Sequence, residues 1–319
     1  MDYLYLSGEC SALMNTLIPN QLFVKLAGAE SFDDALEILK GTSYGALLQS
    51  MDVEEALAIE QNKLNEFIKT ECPDPLVIKF FLLPYDYDNL EVISKARSLG
   101  LAEDSYLEIS GTYDFDFLKN AVRQKRYKPF CNEFIRHMLI EYNNKSSQDP
   151  LTAREVDYIF QKYKFENLSE LFGRKKGLMR DLCDFILDYE NISIAYRCAT
   201  LDELKANVVS FGSIKMPILE RIVCGDTYVL REMPDPVRDL CEVIYVDKNP
   251  KNLAKFELLK RKTIIKLIEP YLYDPSTEAT FVYYVERKLF EIENLHLIMN
   301  LHKENLPSRI KSRLIEIGK

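Results

Sequence analysis

Tryptophan is absent from the 319 residues, histidine occurs three times, and glycine and proline are scarce at 11 and 13. So few backbone breakers favour long helices over a turn-rich β fold. The three histidines are His137, His296 and His302. The last two stand six apart, a poor spacing for sharing a metal on one helix, and ordinary surface or edge positions are expected. Neither GxxxxGK[ST] nor GxGxxG occurs, which removes the familiar glycine-rich phosphate cradles. The basic GRKKG at 173–177 lacks that spacing, and no GxSxG elbow is present. The seven cysteines, at 10, 72, 131, 183, 198, 224 and 241, form no CxxC pair and read as buried apolar thiols in a reducing compartment. No apolar run approaches the roughly 18–20 residues that span a bilayer. The run VIKFFLLPY is interrupted by Lys79 and Pro84. The opening MDYLYLSGEC carries an acid where a signal peptide carries a basic region, so a cytosolic chain is expected.

What is present is a core. Apolar residues make up 47% of the chain, which excludes a disordered one, and 19 Tyr and 17 Phe supply its bulk. The length suits two or three domains. Charge is uneven. Residues 1–120 hold 8 Lys and Arg against 21 Asp and Glu, and the rest hold 33 against 29. An acidic third beside a mildly basic remainder argues against a general nucleic-acid binder and fits an assembly that meets different partners on different faces.

One pattern recurs. Residues 86–90 read DYDNL, 188–192 read DYENI and 291–295 read EIENL. Each is acid, apolar or aromatic, acid, Asn, aliphatic. The residues are Asp86, Asp88 and Asn89, then Asp188, Glu190 and Asn191, then Glu291, Glu293 and Asn294, and the asparagines stand 102 and 103 apart. A second landmark follows the first two copies, Gly111–Thr112 and Gly212–Ser213, with the glycines 101 apart. The third copy places this landmark near 315, where the sequence stops. The chain therefore reads as three units, 1–120, 121–220 and 221–319, the last trimmed at its C-terminal end.

The repeated stretch reads as helix. Phe81, Tyr85, Asn89, Ile93 and Ala96 follow one face, as do Phe290, Asn294, Ile298 and Leu301. Two acids at i and i+2 stand about 200° apart around a helix and cannot converge on a metal or a proton. A metal-carboxylate enzyme built on Asp86, Asp88 and their counterparts is thus the weaker reading of the signature. The stronger one is structural: each asparagine binds backbone of a neighbouring helix or turn, and the flanking acids are solvated or pair locally. Pro84 marks a kink or a fresh helix start. Further helices are expected over SFDDALEILK with a Ser cap, over DPLTAREVDYIFQKY, and from FVYYVERK to a stop before Pro307. NVVSF reads as a strand without partners. The fold class is all-α. Basic clusters at 123–128, 260–266 and 308–313 read as solvated faces, or as contacts for acidic partners or lipid headgroups.

These stretches carry a family resemblance. FFLLPYDYDNLEVISKA at 80–96 resembles a helix of the C subunits of prokaryotic V-type ATPases, a family related to the eukaryotic d subunit. YLYDPSTEATFVYYVERKLFEIENLHLIMNLHKENLP at 271–307 resembles that family's closing segment, and LIPNQLFVKLAGAESFDDALEILKGTSYGALL its first helices. The resemblance implies three similar helical domains in a pseudo-threefold, funnel-like arrangement with a central cavity. It implies a non-catalytic central-stalk subunit that joins the shaft subunits to the membrane proteolipid ring on the cytosolic face. It implies no cofactor, no metal, no nucleotide and no nucleic acid, and contact with the membrane only through the ring. The loops at Gly111, Thr112, Gly212 and Ser213 are expected on one partner-facing rim. A helical-repeat adaptor of some other cytosolic complex is the alternative.

Overall fold

The computed structural model describes residues 2–98, 109–149, 151–209, 212–240 and 253–306. The landmark expected near 315, the basic stretch 308–313 and Cys241 lie outside them. All regular structure among the described residues is helical, as the composition demands. Four helices come first: α1 (Tyr3–Met14), α2 (Asn20–Ala27), α3 (Phe32–Lys40) and α4 (Val53–Glu71). Then follow α5 (Pro75–Ser98), α6 (Phe115–Gln124), α7 (Glu133–Gln148), α8 (Ala153–Phe172), α9 (Leu178–Arg197), α10 (Leu201–Asn207), α11 (Met216–Val223) and α12, described over 235–240. Last come α13 (Leu253–Ile268) and α14 (Ala279–Lys303).

These helices belong to two compact units. One joins Met1–Asp74 to Val243–Lys319, and the other is Pro75–Glu242. In the first, α14 is the hub, packed by α1, α2, α3, α4 and α13. That surrounding explains a helix whose apolar residues point to every side instead of forming one stripe. Phe23, Leu26, Leu39 and Leu57 meet Ile292, Leu295, Ile298 and Met299 of α14 in one cluster. Each such side chain contributes about 1.5–3 kcal/mol by leaving water. In the second unit α8 packs against α5, α7 and α9, while α6 rests on α5, and α10 and α11 lie together against α9.

Local signals set the boundaries. The Ser31 hydroxyl accepts the Asp34 N–H at 3.1 Å and opens α3. Thr152 and Glu155 form a reciprocal capping box that opens α8. The long C-terminal helix does stop before Pro307. Pro84 starts no fresh helix. Pro75 occupies the first position of α5, where its missing N–H costs nothing, and the helix runs on through Pro84 to Ser98. Packing on α6 and α8 holds it across the lost hydrogen bond.

Two expectations about side chains need correction. Cys131 and Cys224 are exposed rather than buried, although Cys10, Cys72 and Cys183 are buried. His302 is no surface histidine: it is 3% exposed, and its Nε2–H donates to the Leu26 carbonyl at 2.9 Å.

Candidate functional site

Two of the three signature asparagines, Asn89 and Asn191, bind backbone. On α5 the Asn89 Nδ2 donates to the Ile109 carbonyl at 2.8 Å. On α9 the Asn191 amide makes both bonds, donating to the Val209 carbonyl at 3.0 Å and accepting the Val209 N–H at 2.9 Å. The second case explains NVVSF. Val209 needs no strand partner, because one side chain satisfies its backbone as a neighbouring strand would. Asn294 is 1% exposed on α14.

The flanking acids split by position, which spacing alone did not foretell. The first acid of each copy is buried: Asp86 at 0%, Asp188 at 2% and Glu291 at 1% exposure. The second acid stays near solvent. Asp88 pairs with Lys164 of α8 at 2.9 Å, Glu293 pairs with Arg261 of α13, and Glu190 is half-buried. Two residues on, a helix has turned most of the way to its opposite side, so one acid can face the core while the other cannot.

Each buried acid is a latch. Asp86 accepts the Tyr113 N–H at 3.0 Å and the Thr112 hydroxyl. Asp188 accepts the Ser213 N–H at 2.8 Å, the Ile214 N–H at 2.9 Å and the Ser213 hydroxyl at 2.5 Å. The landmark loops thus pair with the signature itself. They lead into α6 and α11, so each carboxylate sits at the entry of a short helix, where the helix dipole favours negative charge. The glycines permit the approach. A Cβ on Gly111 would collide with Asp86 Oδ1, and one on Gly212 would stand 2.5 Å from Asp188 Oδ1. Gly212 also holds φ at +109°, a region that side chains rarely adopt.

The third latch takes its loop from the other end of the chain. Glu291 accepts the Ile18 N–H at 2.5 Å, and Ile18 stands two residues before α2, as Tyr113 does before α6 and Ile214 before α11. Glu291 also accepts the Tyr44 hydroxyl at 2.8 Å and the Lys288 ammonium at 2.6 Å. Lys288 is itself 3.4 Å from Glu60 and lies over the Tyr44 ring at 4.9 Å. Ile18, Tyr44, Lys288 and Glu60 were not singled out from sequence. The signal was there: LIPN before an amphipathic α2 occupies the place that the tripeptides at 111–113 and 212–214 hold before theirs.

Electrostatics follows burial. Desolvation raises the Asp188 carboxyl above its ordinary value, against the pull of the Ser213 and Ile214 hydrogen bonds. Burial likewise pushes the Tyr44 phenol far up, reinforced by Glu291, so it remains a donor. Carboxylates already filled by two or three donors have little capacity left for a metal. Among the described residues no three His, Cys, Asp or Glu side chains are grouped to hold one. The arrangement does one thing well: it clamps a loop and a short helix onto a long one.

The chain matches the ATP synthase (C/AC39) subunit family over residues 6–313. It is 29% identical over 224 residues to a protein of Enterococcus hirae named as the C subunit of a V-type sodium ATPase. That match covers 66% of this chain and 66% of the relative, just under two thirds of its length.

Proposed function

The chain belongs to the ATP synthase (C/AC39) subunit family, and from that premise we propose that it is the non-catalytic central-stalk subunit of a rotary V-type ATPase or ATP synthase. In this reading it is a socket that receives the foot of the shaft and rests on the proteolipid ring, passing torque between nucleotide chemistry and ion movement. The family match along almost the whole chain carries the reading, supported by the name of the relative. The physics agrees. Torque transmission asks for stiff helices and clamped loops rather than a reactive side chain, and the three carboxylate latches provide clamps of that kind.

The units 1–120, 121–220 and 221–319, in a pseudo-threefold arrangement, belong to the same proposal, with one amendment. The loop and short helix of the third copy come from residues 16–27, whose Ile18 reaches Glu291. The Gly111–Thr112 and Gly212–Ser213 loops are proposed as partner-facing edges. Their hydroxyls are held by Asp86 and Asp188, so the contact would run through the surrounding surface. No helix among the described residues is long and apolar enough to cross a membrane, so attachment would run through the ring. Which ion is moved is a property of the ring in this reading.

Affinity purification of the tagged chain from gently solubilised membranes tests it. Shaft subunits and the proteolipid are expected to co-purify in fixed ratio, with no ATP turnover by the isolated chain. Recovery of neither, with an unrelated complex in their place, would overturn the proposal and favour an adaptor.

A further inference from the structure

A groove of about 330 Å³ lies in the second unit, between one face of α8 and the corner where α9 gives way to α10. Phe165, Ile194 and Val209 give it apolar lining. Arg154, Tyr158 and Lys162 stand four apart on α8 and share one wall.

The charges in this groove are not equally committed. Glu155 accepts the Thr152 N–H at 2.8 Å and the Thr152 hydroxyl at 2.7 Å. Asp157 is paired with Lys95, and Glu203 accepts the Ala199 N–H at 2.8 Å. Arg197 folds back on Ser193, donating to its carbonyl at 3.0 Å and its hydroxyl at 2.5 Å. Each of these acids is therefore already hydrogen-bonded or paired. Arg154 and Lys162 are different. Neither makes an ion pair or hydrogen bond with a described residue. Arg154 and Cys198 both line the groove, and Lys162 lies over the Tyr163 ring at 5.5 Å. Lys162 feels Glu141 and Glu166 at a distance without touching either. The wall thus offers two cations in direct contact with no carboxylate among the described residues, one turn to either side of Tyr158 along α8.

We propose that this groove docks an acidic segment of a partner protein, an Asp or Glu side chain set beside an aliphatic one. The carboxylate lies between Arg154 and Lys162, and the aliphatic side chain covers the Phe165, Ile194 and Val209 surface. Charge complementarity selects the acid, because the uncommitted groups of the wall are cations.

The absence of tryptophan supplies the test. Gln161→Trp places a single indole at the groove of the full chain. The probes are a peptide of alternating glutamate and leucine, the same peptide with glutamine for glutamate, and inorganic phosphate. The acidic peptide is expected to shift the indole emission saturably. The glutamine peptide should bind about tenfold or more weakly, the loss expected for charge-assisted hydrogen bonds. Arg154→Gln with Lys162→Gln should weaken the acidic peptide equally while the melting temperature changes little, since neither cation forms an ion pair or hydrogen bond with a described residue. No emission change with the acidic peptide overturns the proposal, as does equal binding of the glutamine peptide or undiminished binding by the double variant. Phosphate competing as strongly as the peptide overturns it too, leaving a bare anion site. The test uses the isolated chain, so its outcome is independent of membership in a rotary complex.

Discussion

Asp188 and Glu291 solve one problem in two ways. Both are buried acids that hold the entry of a short helix. Asp188 has only neutral donors, two N–H groups and a hydroxyl, and a glycine lets the loop come close. Glu291 is one methylene longer and reaches its loop where Thr16 stands in the place of that glycine. It takes a phenol and a partly buried ammonium instead of the loop hydroxyl. What the two latches share is the anion at a helix entry. How its charge is balanced is left to the neighbours. A hydroxyl-and-amide cradle tolerates a neutral acid, whereas an ion pair does not tolerate the loss of either member.

Removing the cation should have the largest effect. Lys288→Met leaves Glu291 buried without its counter-ion, and the first unit is expected to lose about 3–5 kcal/mol in chemical denaturation. An equal loss from Asp188→Asn would erase the distinction between the latches, because that substitution strands no partner charge.

A second buried acid on α14 probes the same contrast through pH. Glu286 has no hydrogen bond to a described residue, and desolvation raises its carboxyl to about 7 against the pull of Arg261 and Lys260. Its folded value lies above the unfolded 4.5, so the folded state holds the extra proton between pH 4.5 and about 7. Stability from this group is complete below 4.5 and is lost as pH rises through 7. Glu286→Gln should stabilise the chain by roughly 1–3 kcal/mol at about pH 8 and hardly at about pH 4.5. Thermal melts across that range check it, and a pH-independent effect would show that the acid is not taking up the proton.

The glycine side of the contrast is smaller. Gly111→Ala puts a methyl group against Asp86 Oδ1, with an expected loss of about 1–3 kcal/mol, while Thr16→Ala should change stability by less than about 0.5 kcal/mol. Equal losses in calorimetry would mean that the third latch is as tight as the first.

Within the Asp188 latch the hydroxyl counts for little. Ser213→Ala removes one of three donors to Asp188 and should cost about 1 kcal/mol. Hydrogen exchange at Ile214 should quicken locally while Ile18 is unaffected.

Much of this was legible in the residues. The all-helical class, the Ser31 start, the stop before Pro307 and the asparagine-to-backbone bonds follow from spacing and chemistry that act within a few residues or along one helix face. The role of the first acid was not legible. An acid at i and another at i+2 look alike in a string, and only packing selects which of them faces the core. The third latch was hidden for a related reason. Its halves, Ile18 and Glu291, are 273 positions apart, and a search for the landmark after the signature looks in the wrong direction.

That the chain is helical, and that one polar signature occurs three times, was written in the chain alone, because helix propensity, capping and period are local. That Asp86, Asp188 and Glu291 are the working members of the signature, and that the N-terminal loop closes the last copy, came from packing in three dimensions. Desolvation and hydrogen-bond partners are set by what surrounds a side chain in space, and that surrounding is assembled from parts of the chain that have no sequence proximity.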